Sequence, residues 1–165
     1  MTLGNFILTA DMSHKKLQRM AFEIIENNIG EQEIILAGIK ENGLIIAHIV
    51  WAFLRENFHG KISVIEMEID KKNPKHIAIP GDINFDNAVI IITDDVANTG
   101  KTLLYALKPF MNYYPKKIQA LVLVARSHRE FPVTPDYIGL SISTAADELI
   151  IVDTKGEEII GARLL

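Results

Sequence analysis

Between residues 13 and 28 apolar side chains recur at helical spacing (Leu17, Met20, Ala21, Ile24, Ile25), which predicts an amphipathic helix stopped by Gly30. Residues 33–37 (EIILA) form a short apolar run of strand length, followed by a loop over 38–43. The stretch 44–57 is apolar nearly all round, with Ile45, Ile46, Ile49, Val50, Trp51, Phe53 and Leu54. A helix of that kind is covered on more than one side, and a second subunit is one way to supply the cover. Residues 61–69 alternate as a strand does, whereas 70–87, with Pro74, Pro80 and Gly81, reads mostly as loop. The run 88–93 (AVIIIT) is expected to be the central buried strand, with a helix over 100–112 after it, and 119–125 (QALVLVA) is a further strand. Residues 126–148 are irregular and rich in polar side chains, and 149–152 is expected to close the sheet. Helix and strand alternate, so the expected fold class is α/β: an open, mostly parallel sheet with helices on both faces and a small irregular hood over 126–148.

At 165 residues the chain reads as one domain, 1–165, able to bury a core without staples. No repeat or low-complexity tract divides it. The apolar stretches 44–54 and 89–92 are shorter than the ~20 residues of a membrane span, and the opening MTLGNFILTADMSHKK lacks the order of a secretory signal. The expected location is therefore cytoplasmic, away from membranes. The absence of cysteine excludes disulfides, thiolate catalysis and cysteine-ligated metals. A net charge of −4 argues against a dedicated nucleic-acid binder, whose affinity rests on neutralising phosphates. Lys71, Lys72, Lys75 and His76 form the one obvious basic cluster, read as a solvated loop.

The chemistry concentrates in VIIITDDVANTGKTLL, residues 89–104. A buried strand delivers Asp94 and Asp95 to its carboxyl end, where ligands of open α/β sheets bind. Adjacent carboxylates are costly to bury unpaired, and the vicinal hydroxyls of a ribose would satisfy them. A turn of small polar residues follows, Ala97, Asn98, Thr99 and Gly100, then the start of a helix with Lys101 and Thr102. Free N–H groups there suit a phosphate, Thr99 and Thr102 add hydroxyls, and Gly100 lets backbone approach the anion. A nucleoside-triphosphate P-loop is excluded, because Asp95 stands where that loop needs glycine.

These residues resemble the phosphoribosyl-pyrophosphate (PRPP) binding motif of type I phosphoribosyltransferases. Within that family the resemblance is closest to the pyrimidine operon attenuation and uracil phosphoribosyltransferase group, and it extends over nearly the whole chain. ILAGIKENG, 35–43, looks like that group's pyrophosphate loop, and LVLVARSHREFP with DYIG, 121–132 and 136–139, resembles its base-binding hood. The resemblance implies PRPP bound with magnesium, a nucleobase as second substrate, a homodimer, and transfer of ribose 5-phosphate to a base nitrogen. It implies that Asp94 and Asp95 hold the ribose hydroxyls and that Ala97, Asn98, Thr99, Gly100, Lys101 and Thr102 wrap the 5-phosphate. Gly38, Ile39 and Lys40 would meet the pyrophosphate through backbone N–H groups and one cation. Lys40 and Arg126 would be the catalytic cations, and Tyr137 and Ile138 would flank the base.

Three positions depart from the family's pattern. Asn98 stands where enzymes for 6-oxopurines carry an acid, which points away from hypoxanthine and guanine. Asn42 stands where the pyrophosphate loop usually has arginine. The segment 67–80 is shorter than the family's flexible loop and lacks its Tyr-Arg-Asp-Asp signature. Two readings follow: an enzyme making UMP from uracil and PRPP, or a regulatory module that binds PRPP or UMP with little turnover. A third, an mRNA-binding attenuation regulator, runs against the acidic charge balance.

Overall fold

A computed structural model describes residues 5–165. In chain order the elements are β1 (Asn5–Thr9), α1 (Ala10–Asn27), β2 (Glu33–Ile39), α2 (Asn42–Asn57), β3 (Lys61–Ile69), β4 (Ile77–Ala78) and β5 (Val89–Ala97). There follow α3 (Lys101–Ala106), a 3-10 turn (Lys108–Asn112), β6 (Lys117–Arg126), β7 (Tyr137–Ile142), β8 (Ile150–Lys155) and β9 (Glu158–Leu164). The main sheet has the order β4-β3-β2-β5-β6-β7; its pairs are parallel except β3 with β4. β2, β5 and β6 are covered on both faces, which is why they read as unbroken Ile/Val/Leu runs rather than alternations. Ile34, Leu36, Val89, Ile91, Leu121 and Leu123 pack with Leu17, Met20 and Ile24 of α1 and Ile46, Val50 and Leu54 of α2. Ile35, Ala37, Ile90, Ile92, Ala120 and Val122 pack on the other side with Phe85, Leu103, Ala106 and Phe110.

Local chemistry sets the boundaries. α1 begins at Ala10, three residues before the expected start, because Thr9 caps it: its Oγ1 accepts from the Met12 amide at 3.2 Å, while the Ser13 hydroxyl donates to Thr9 O at 2.8 Å. β5 runs through the acid pair to Ala97 instead of ending at Thr93, since β6 pairs with it as far as Ala125. The helix expected over 100–112 is six residues of α3, then the 3-10 turn with Pro109 near its start.

The largest difference lies at the chain's ends. Residues 149–152 do not close the main sheet. β8 pairs antiparallel with β9, and β9 with β1, in a separate three-stranded sheet of order β1-β9-β8. Within the span expected to be an irregular hood, β7 joins the main sheet as its edge strand. Arg19 of α1 covers that edge, donating to Ile138 O and Gly139 O at 3.0 and 3.1 Å. Among the described residues no helix is long and apolar enough to cross a membrane.

Candidate active site

The carboxyl ends of β2 and β5 meet the start of α2 at very close range. A Cβ on Gly43 would lie 2.4 Å from Thr93 O, and one on Gly38 would lie 2.5 Å from Leu44 Cα. The Thr93 hydroxyl, fully buried, donates to Gly43 O at 2.7 Å. This contact fixes β5 just before it delivers Asp94 and Asp95.

Asp94 is 1% exposed. Its Oδ1 accepts from the Asp95 amide at 2.9 Å, and Asp95 Oδ1 accepts from the Val96 amide at 2.8 Å. Lys71 Nζ lies 3.0 and 3.3 Å from the two Asp94 oxygens and 3.6 Å from Asp95 Oδ1. Burial first, and the Asp95 carboxylate second, push the Asp94 carboxyl up to about 7 against the opposing effect of Lys71. Burial pulls the Lys71 ammonium down, yet the two carboxylates hold it above its ordinary value. Lys71 is thus no solvated member of a basic loop. Sequence missed it because nothing local shows that the loop after β3 reaches β5.

Beyond the acids the chain turns at Gly100, whose φ of +87° favours glycine. The amides of Thr99 and Gly100 make no backbone hydrogen bond among the described residues. Thr99 O accepts from the Glu130 and Phe131 amides, both at 3.0 Å, which braces the turn from behind. A cavity of about 290 Å³ opens in front of it, lined by Asp94, Asp95, the turn 97–102, Lys71, Asn42 and Ile150–Val152 of β8. The acid pair and all of 97–102 thus line one cavity.

β8 completes the cavity and was missed. It is an edge strand. Leu149 and Leu165 exchange both backbone hydrogen bonds, so in this antiparallel pair the backbone groups of Ile150 and Val152 point away from β9. Val152 O accordingly accepts from Asn42 Nδ2 at 3.2 Å, and the same nitrogen donates to Asp95 Oδ2 at 2.8 Å. Asn42 therefore fastens the small sheet to the acid pair. The alternation in 150–155 signals a strand, but only the fold shows which of its edges is open.

Several expected site residues lie elsewhere. Tyr137 is 1% exposed and packs with the α1 core, its hydroxyl donating to Gln119 Oε1 at 3.0 Å; it cannot flank a base. Ile138 packs with the opposite core layer and does not line the cavity. Gly38 and Ile39 stand inside β2, and the Lys40 amide donates to Met67 O at 2.9 Å, so these amides are already taken. The Lys40 ammonium pairs with Glu68 at 2.8 Å and Glu66 at 3.5 Å. Uncapped backbone lies slightly further along, at the start of the sixteen-residue α2, where Glu41 makes no side-chain cap. Arg126 donates to Thr144 Oγ1 at 2.5 Å, to Ala145 O at 3.1 Å and to Glu148 O. It ties down the loop before β8 and lines not this cavity but the adjoining hollow, which Asn98 and Thr99 share. Among the described residues no group of three or more His, Cys, Asp or Glu side chains converges to hold a metal ion.

Comparison with known proteins gives the family and the fold. The phosphoribosyl transferase domain matches residues 7–158. The chain belongs to that family. A bifunctional protein pyrR from Enterococcus faecalis is 34% identical over 158 residues, covering 90% of this chain and 89% of that one. A bifunctional protein PyrR from Streptococcus pneumoniae is 33% identical over 145 residues, 84% and 83% of the two chains. Among solved structures, a hypoxanthine-guanine phosphoribosyltransferase from Bacillus anthracis superposes over the full length of both chains with a TM-score of 0.74 at 17% identity. The hypoxanthine phosphoribosyltransferase of Trypanosoma cruzi gives 0.78 over 96% of each chain at 14% identity. The fold of this phosphoribosyltransferase-family chain is thus the type I fold.

Proposed function

We propose that the protein transfers ribose 5-phosphate from PRPP to a pyrimidine base, with uracil as the substrate and UMP as the product. One observation carries the reading: a single cavity is bounded by the acid pair, the 97–102 turn and the open edge of β8. The 5-phosphate sits on the turn, with the Thr99 and Gly100 amides and the Thr99 and Thr102 hydroxyls as donors. Asp94 and Asp95 accept from the ribose hydroxyls. The diphosphate, with magnesium as part of that substrate, lies toward the first turn of α2, where amide donors and the helix dipole face it. The base lies against β8, whose outward N–H and C=O groups at Ile150 and Val152 read the edges of a one-ring heterocycle. Charge builds at the anomeric carbon as its bond to the diphosphate oxygen breaks, the acid pair holds the sugar in place for attack from the β8 side, and the ring N–H proton of the base passes to the departing diphosphate.

Asn98 lines the cavity and is neither acid nor base, so it supports a pyrimidine over a 6-oxopurine. A PRPP-dependent turnover assay on uracil, hypoxanthine and guanine at matched concentrations tests this, with Asn98→Asp run beside it. Uracil turnover exceeding both purines is expected; a purine exceeding uracil overturns the assignment. A regulatory reading, in which PRPP or UMP binds with little turnover, is favoured by the Lys71 ion pair on the acids and by the amide at Asn42. The word bifunctional in the relatives' name is in keeping with a second role beside catalysis. Tight PRPP binding without turnover on any base would select it.

A further inference from the structure

Lys71 follows the end of β3, and Asp94 lies on β5, while β2 stands between those two strands. To reach Asp94 at 3.0 Å the Lys71 side chain must therefore cross the carboxyl end of β2, in front of the β2–α2 junction. Lys71 remains half-exposed while Asp94 is buried, so one partner of the pair is free to move and the other is not. Lys40, the other cation near that junction, is held by Glu66 and Glu68. The lysines lining the cavity are Lys71 and Lys101, and Lys101 opens α3 on the phosphate side.

We propose that Lys71 is a substrate-displaced latch: it closes the empty site by pairing with Asp94 and Asp95, and it turns to the diphosphate when ribose hydroxyls take over the acids. This rests on reading the cavity as a PRPP site. Ribose hydroxyls that donate to the acids take the positions Lys71 holds, so binding a sugar displaces the ammonium from its counter-charge. A diphosphate beside the β2–α2 junction restores it along the path the side chain already spans. A ligand with the sugar and 5-phosphate but no diphosphate must break the ion pair and offers the ammonium nothing in return.

Opposite effects on two ligands are therefore expected. Lys71→Met should tighten ribose 5-phosphate about fivefold, because the competing ammonium is gone. It should weaken magnesium-PRPP about tenfold, the loss expected of one charge-assisted hydrogen bond. Lys71→Arg keeps a cation on the loop and should hold PRPP affinity within about threefold of the parent. Calorimetry with both ligands reads these shifts. Amine-selective labelling of the unmodified protein gives a measurement that needs no variant: ribose 5-phosphate should raise Lys71 labelling and magnesium-PRPP should lower it. If the unmodified protein binds neither ligand, the cavity reading fails and the latch with it. If it binds PRPP, but Lys71→Met shifts both ligands the same way or Lys71 labelling ignores ribose 5-phosphate, the latch is wrong and the cavity reading stands.

Discussion

Asp94 shows what a buried carboxylate does to stability. Its folded-state value of about 7 lies above the ~3.9 of an unfolded aspartate. Between those values the folded chain binds more protons than the unfolded one, so this group makes stability fall as pH rises from about 4 to about 7, and flattens above. Asp94→Asn should abolish that component of the pH profile and stabilise the protein at pH 8 by roughly 2 kcal/mol, as read by urea unfolding. The same variant should weaken PRPP at least about tenfold, since an amide accepts fewer hydroxyl hydrogen bonds than a carboxylate. A variant that keeps the wild-type pH slope would show that Asp94 is already well solvated. Gly43 makes the complementary case. Alanine there puts a carbon 2.4 Å from Thr93 O, and the backbone must move; a loss of about 3 kcal/mol is expected in the same measurement.

At the scale of elements, the loop that precedes β8 is tied to the main sheet by Arg126, while Glu148 accepts from the Ala145 amide within it. Arg126 holds Thr144, Ala145 and Glu148, so Arg126→Met should release residues 144–148 at a cost of about 1–2 kcal/mol. Amide exchange should accelerate there. If β8 is the base platform, KM for the base should rise several-fold while PRPP affinity stays unchanged. An equal loss in PRPP affinity would instead return Arg126 to the role of a direct ligand. The turn 97–102 is braced differently, by the amides of Glu130 and Phe131 on Thr99 O, and should be unaffected.

At the scale of the whole molecule, the β3 side of the main sheet is open. β4 pairs only with Glu68 and Ile69, so β3 from 61 to 67 lacks a partner strand on that side among the described residues. Beside it α2 presents exposed His48 and Ala52 and half-buried Trp51, with the Arg55 guanidinium 5.0 Å from the Trp51 ring, while Phe53 on the other flank turns to His14 of α1. A second copy of the chain covering this face is expected to give a homodimer. Sedimentation should show a dimer at micromolar concentration for the parent and a monomer for Trp51→Glu; a monomeric parent would rule the arrangement out.

Much of this was legible in the sequence, for a physical reason in each case. Buried parallel strands need unbroken apolar runs, so β2, β5 and β6 were visible. α1 carries a helical period. The acids, small polar residues, glycine and helix start of 94–102 are consecutive, so their gathering at one cavity could be read without a fold. What the tertiary structure alone decided depends on residues far apart in the chain. Tyr137 looked like a base platform beside Ile138, but in a strand adjacent side chains face opposite ways, and the sheet's order turned Tyr137 into the core. Gly38 and Ile39 looked like a loop until β3 and β5 paired along them. Residues 149–152 have strand character in any reading; their partner is β9, and that pairing turns the open edge of β8 toward the acids. Lys71 sits in a polar loop whose composition says only that it is solvated. Its meeting with Asp94, 23 positions away, exists because β3 and β5 flank β2, a fact of strand order that no local pattern encodes.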